Sequence, residues 1–161
     1  MASSARVWDV LTDFEAYQTW NPFIVLARGK ASAGSGLFLQ LRIIRRKTTD
    51  GMPLFPTVLI ADPGRELRWR GKFLIRGLFD TEQFFRLEAR SGIVHFVHGA
   101  AYSGLLASRI MEHMTRRVML SEPDLVEKVT TEEALRAAFE AMNAALKQRA
   151  EASMSPPVAT L

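Results

Sequence analysis

The chain has 161 residues, 48% of them hydrophobic and 24% charged, with a net charge of +4 and no cysteine. That length fits a single domain with a real core, and the apolar content excludes a disordered chain. The absence of cysteine excludes disulfides, thiolate catalysis and thiolate-bound zinc, and it fits a reducing interior.

In chain order, Val7, Trp8, Val10 and Leu11 mark a short amphipathic helix that stops at Thr12-Asp13, and a second helical turn covers residues 14–19. Trp20-Asn21-Pro22 then breaks the helix and launches an apolar strand, because a residue before proline is pushed out of the helical region. Strands are predicted over residues 23–31, 37–45, 55–61, 66–74, 81–89 and 93–101. Turns fall at Gly34-Ser35-Gly36, Asp50-Gly51-Met52-Pro53, Asp62-Pro63-Gly64 and Ser91-Gly92. Alternation places Leu37, Leu39, Leu41 and Ile43 on one face, then Leu67, Trp69, Gly71 and Phe73, then Gln83, Phe85, Leu87 and Ala89. About six strands with short loops and little helix between them require an antiparallel meander.

Beyond Ser103 the period changes. Thr130 with Glu133 makes a capping box for a helix over residues 131–151, whose apolar stripe is Leu135, Ala138, Phe139, Met142, Ala145, Leu146 and Arg149. Residues 153–161, with Pro156-Pro157, read as a disordered tail, leaving one α+β domain over residues 1–152. No basic start followed by an unbroken apolar stretch marks a signal peptide. The longest apolar runs, 23–27 and 58–61, are far too short to span a bilayer. The expectation is a soluble, cytoplasmic protein with no integral membrane association.

The charged and polar residues offer few candidates for chemistry. Arg42 with Arg45-Arg46-Lys47, and Arg116-Arg117, lack the interleaved aromatics of a nucleic-acid platform and read as solvated strand ends. His95, His98 and His113 are too scattered for metal ligation, so no metal site and no cofactor are expected. Ser103-Gly104 lacks the first glycine of a nucleophile elbow, and Gly34-Ser35-Gly36 lacks the lysine of a phosphate loop. His98 and Tyr102 are the weak catalytic candidates, able to polarise a carbonyl or move a proton; a structural histidine is the alternative.

Several segments in order carry a family resemblance over residues 7–151: Val7-Trp8 to Asp13-Phe14; Trp20-Asn21-Pro22-Phe23; Asp62-Pro63-Gly64-Arg65-Glu66-Leu67 with Trp69-Arg70-Gly71; Gly77-Leu78-Phe79-Asp80; His98-Gly99 with Tyr102-Ser103-Gly104; and Phe139-Glu140-Ala141-Met142-Asn143. The chain resembles the SRPBCC superfamily of START or Bet v 1-like helix-grip proteins, in its polyketide cyclase/dehydrase-like branch. The resemblance implies a curved antiparallel sheet wrapped around a long C-terminal helix, with two short N-terminal helices and an apolar hollow. Relatives normally begin with a strand ahead of the Val7-Trp8 helix, so an open sheet edge and a homodimer are expected. They often carry a histidine at the position of Gln83 and an acid at that of Ala100. Residues 111–130 look like an insertion.

The expected function is binding of a small hydrophobic or aromatic ligand, lipid- or polyketide-like, between sheet and last helix. Trp20, Leu39, Leu41, Trp69, Phe73, Gln83, Phe85, Leu87, His98, Tyr102, Phe139 and Met142 are the expected lining. The alternatives are a cofactor-free cyclase or dehydratase, with Arg70 anchoring a carbonyl or carboxylate, and a protein-interaction module.

Overall fold

The computed structural model of the protein describes residues 2–42, 52–72, 77, 80–90, 93–105 and 131–152. Expectations placed on Ile43, Arg45 to Lys47, Phe73, the segment 111–130, Thr130 and the tail from 153 fall outside the described residues.

Helix α1, Ser4–Thr12, starts where the Ser3 side chain accepts a hydrogen bond from the Arg6 N–H at 3.2 Å, and it buries Val7, Val10 and Leu11. It stops at Asp13, whose carboxylate accepts from the Ala16 N–H and opens a 3-10 turn, Phe14–Ala16, followed by α2, Tyr17–Trp20. The two pieces are clamped by the buried Tyr17 hydroxyl, which donates to the Leu11 carbonyl at 2.6 Å. The corner into the sheet has an equally local cause. Buried Asn21 accepts through Oδ1 from both the Phe23 and Ile24 N–H groups, at 3.0 and 2.8 Å, and so replaces the helical partners those amides lose.

Among the described residues seven strands follow, all antiparallel: β1 Ile24–Gly29, β2 Leu37–Leu41, β3 Met52–Leu54, β4 Thr57–Asp62, β5 Glu66–Lys72, β6 Asp80–Arg90 and β7 Ile93–Ser103. The strand beyond the six expected is β3, read in the sequence as part of a turn. Leu54 lies opposite Leu39 and Pro53 opposite Gln40. Proline is tolerated there because β3 is the edge of its sheet, in the order β1-β2-β3. Pro56 then separates β3 from β4 and leaves Phe55 exposed. The second sheet runs β4-β5-β6-β7. It joins the first through the Gly36–Thr57 bridge and through backbone bonds such as Val58 N–H to the Ser35 carbonyl at 2.9 Å.

The two faces of the second sheet are chemically opposed. Leu67, Trp69, Gln83, Phe85 and Leu87 are buried on the inner face. On the outer face Glu82 accepts from Arg68 and Arg70, each at 2.7 Å, while Glu66 pairs with Arg68 and Arg86. The Phe84 ring lies between the Arg68 and Arg86 guanidiniums, 5.3 and 4.9 Å from its centroid. Phe84 sits opposite Gly99, where any Cβ would collide with its ring.

The final helix α3, Thr131–Ala152, packs across the inner face and completes the α+β helix-grip architecture. Its buried stripe is Leu135, Met142, Leu146 and Ala150, with Ala138 and Phe139 partly covered. The stripe therefore ends on Ala150 rather than Arg149, which is exposed in the last turn, where a cation complements the helix dipole. No helix among the described residues is long and apolar enough to cross a membrane.

Candidate functional site

The line along which α3 crosses β7 is not filled. β7 presents Val94, Phe96, His98, Ala100 and Tyr102 in alternation, and α3 runs opposite to it, so that its later residues meet the start of the strand. A cavity of about 600 Å³ is lined by His98, Gly99, Ala100 and Tyr102 from β7 and by Leu135, Arg136, Phe139, Glu140 and Asn143 from α3. A second, of about 300 Å³, lies further along, bounded by Val94 and Phe96, by Leu146 and Ala150, and by Val7 of α1. Small residues create the larger space: Ala100 faces inward opposite Gln83, where the strand earlier carried Phe96 and His98.

His98 is the organised polar group of this seam. Its register partner is Phe85, which makes Gln83 its diagonal neighbour across the β6–β7 ladder. Both ring nitrogens are bonded. Nδ1–H donates to Oδ1 of Asn143 at 2.9 Å, and the Gln83 side-chain amide donates to Nε2 at 2.6 Å. An amide oxygen only accepts and an amide nitrogen only donates, so the pair fixes one neutral tautomer. The ring is also sandwiched, with centroids 4.0 Å from Phe139 at 24° and 4.4 Å from Phe85 at 35°. Burial pushes the His98 pKa down to about 4, against a smaller upward pull from the Asn143 bond. At neutral pH the site therefore holds an uncharged imidazole. Tyr102 is partly buried at the same cavity, and that burial raises its phenol pKa, so it too is neutral.

The residues expected to line a ligand site separate into two groups. His98, Tyr102 and Phe139 line the larger cavity, and Gln83 reaches it through its bond to His98. Trp69, Phe85, Leu39, Leu41, Leu87 and Met142 are buried in the core and border neither cavity. Trp20 is half-buried, edge-on to Tyr17 at 4.9 Å. Arg70 belongs to the opposite face, tied to Glu82, and so is not placed to anchor a ligand carbonyl in the seam. Asn143 was missed. It lies 45 residues from His98 in sequence, and its one cue was to be a polar residue between apolar Phe139 and Leu146 on the helix. Among the described residues no cluster of three or more potential ligands could hold a metal ion.

Comparison with known proteins agrees with this architecture. The fold is similar to that of TTHA0849 from Thermus thermophilus, with a TM-score of 0.63 and 13% identity over 96% of this chain and 93% of that one. It is similar to MLL2253 from Mesorhizobium loti, with a TM-score of 0.61 and 14% identity over 96% and 93% of the two chains. It is also similar to the di-domain ARO/CYC BexL from the BE-7585A biosynthetic pathway, with a TM-score of 0.58 and 14% identity; 97% of this chain spans 48% of that one. No curated protein matches the chain by sequence. Residues 1–151 match the model of one sequence family, and the chain belongs to that family, polyketide cyclase/dehydrase and lipid transport.

Proposed function

We propose that the protein binds a small hydrophobic or aromatic ligand in the larger cavity between β7 and α3. One observation carries the reading: a cavity of about 600 Å³ with an aromatic wall at Phe139 and a neutral, doubly hydrogen-bonded histidine in its side. Small-molecule sites span about 300–1,000 Å³ and combine apolar lining with a few fixed polar groups. Burial of apolar ligand surface supplies most of the affinity, at about 25 cal/mol per Å². The polar part of the lining comes from Tyr102, Arg136 and Glu140, since both nitrogens of His98 are already bonded within the protein.

The alternative reading, a cyclase or dehydratase, comes from the family and from the ARO/CYC description of BexL. His98 fits a base poorly. Its Nε2 lone pair is engaged by Gln83, and a pKa of about 4 makes it a weak proton acceptor at neutral pH. Native mass spectrometry of freshly purified protein, with extraction of any bound molecule, tests the binding reading. An apolar small molecule is expected, along with displaceable binding of anilinonaphthalene sulfonate that weakens about tenfold in His98→Ala. A protein that arrives empty and binds no dye would overturn it. Turnover of an extracted ligand, abolished by His98→Ala with binding retained, would favour the enzyme.

Self-association is a separate part of the proposal. Among the described residues β7 pairs only with β6, and its Ile93 and Val97 are 46% and 40% exposed. An open apolar edge of this kind favours a homodimer through strand addition, and light scattering that returns a monomer at high concentration would exclude it.

A further inference from the structure

The two cavities lie end to end along one seam, and a single polar rung separates them. On α3, Asn143 sits between Phe139, which lines the larger cavity, and Leu146, which lines the smaller. On β7, His98 sits between Ala100 on the larger side and Phe96 on the smaller. Asn143 borders both cavities, and its Oδ1 bonds His98 across the gap at 2.9 Å. Charged Arg136 and Glu140 also line the larger cavity and Lys147 and Glu151 the smaller, while the His98–Asn143 bond is the polar contact that crosses the seam between them.

We propose that the His98–Asn143 hydrogen bond is a partition that sets the length of ligand the protein accepts. This rests on the larger cavity being the ligand site. With the rung in place, a ligand is confined to the compartment of about 600 Å³, which suits a compact fused or single-ring aromatic. Without it, the apolar walls of Val94, Phe96, Leu146 and Ala150 extend the compartment by a further cavity of about 300 Å³. The joined trough would then accept a long flexible chain. The rung is built to hold. Asn143 Oδ1 accepts the one proton His98 carries, Gln83 fixes the other nitrogen, and Phe139 and Phe85 clamp the ring, so neither partner turns aside without stranding a buried polar group.

Two fluorescent probes separate the outcomes: anilinonaphthalene sulfonate, which is compact and aromatic, and cis-parinaric acid, which is a long chain. Binding of each is measured to the wild type, to Asn143→Ala and to Asn143→Ala combined with Val94→Trp, which plugs the smaller cavity. Thermal unfolding checks that each protein is folded, and Asn143→Ser replaces the alanine variant if that one is not. Asn143→Ala is expected to tighten cis-parinaric acid about tenfold relative to the compact probe, and to lose that relative gain when Val94→Trp is added. Equal responses of the two probes, or a gain that survives the plug, would overturn the partition and leave the binding site standing. Failure of the compact probe to bind any of the proteins would overturn the ligand site and the partition together.

Discussion

Around Phe14, Tyr17 and Trp69 the molecule is solid, whereas along the β7–α3 seam it is hollow. In the first region aromatic rings meet edge to face: Phe14 with Tyr17 at 5.6 Å and Phe14 with Trp69 at 6.3 Å, while Trp69 lies tilted against Phe85 at 4.9 Å. Tyr17, Trp69 and Phe85 are all at most 1% exposed. In the second region the facing residues become small or polar, with Ala100 on the strand and Asn143 on the helix, and space is left on either side of the His98–Asn143 contact. The difference shows that the fold's hollow is a matter of side-chain size at a few facing positions, since the backbone grip is common to both regions.

The sharpest way to break this comparison is Trp69→Ala. If the first region is a solid core, the substitution costs about 3–5 kcal/mol, read as a lowered denaturation midpoint. Dye affinity in the folded protein then stays within about twofold of wild type, because affinity tracks only groups at the site. A large loss of affinity would mean that the two regions are one continuous cavity.

An effect of similar origin, and somewhat smaller, is expected from pH. The folded-state pKa of His98 is about 4 and its ordinary value 6.5. The unfolded chain therefore takes up a proton first as pH falls. The stabilising contribution of the neutral ring is fully present above about pH 6.5 and is lost as pH falls through 4, on the order of 3 kcal/mol in total. A series of thermal unfolding curves between pH 7 and 4 reads this slope, and His98→Gln should flatten it. Parallel slopes for the two proteins would show that the hollow seam does not hold the histidine neutral.

The smallest effect belongs to the outer face. Glu82 is held below the usual carboxylate range by its bonds from Arg70 and Arg68, yet the network is partly solvated. Glu82→Gln should cost about 1 kcal/mol or less, and less still in high salt. A loss comparable to that of Trp69→Ala would make the outer face, rather than the aromatic cluster, the rigid part of the molecule.

Much of the fold was legible because local rules dominate it. The Trp20-Asn21-Pro22 break and the alternation in β2, β5 and β6 each specify structure within a few residues. Strand β3 was hidden for a local reason as well. Met52-Pro53 reads as a turn, and only the partnership with Leu41 and Gln40 makes it a strand. The site was less legible than the fold. His98 and Tyr102 stand out as polar residues on a strand, but whether a ring nitrogen donates or accepts is set by Gln83 and Asn143. Those partners lie 15 and 45 residues away, and no spacing rule links them. Tyr17 made the same point on a smaller scale, since its partner is a backbone carbonyl six residues earlier.

The long β6–β7 ladder also bears on how the chain finds its fold. Its pairing runs from Arg90–Ile93 to Asp80–Ser103, so every contact in it closes a loop no longer than the hairpin itself. Hairpins of this kind form in about 1–10 μs, whereas bonds such as His98 to Asn143 must wait for a far larger loop to close. Loop closure therefore favours pairing of this hairpin, with Phe84 against Gly99, before α3 docks on it. On that order the hollow takes shape only when α3 docks, which makes the docking of the last helix and the shaping of the cavity one event.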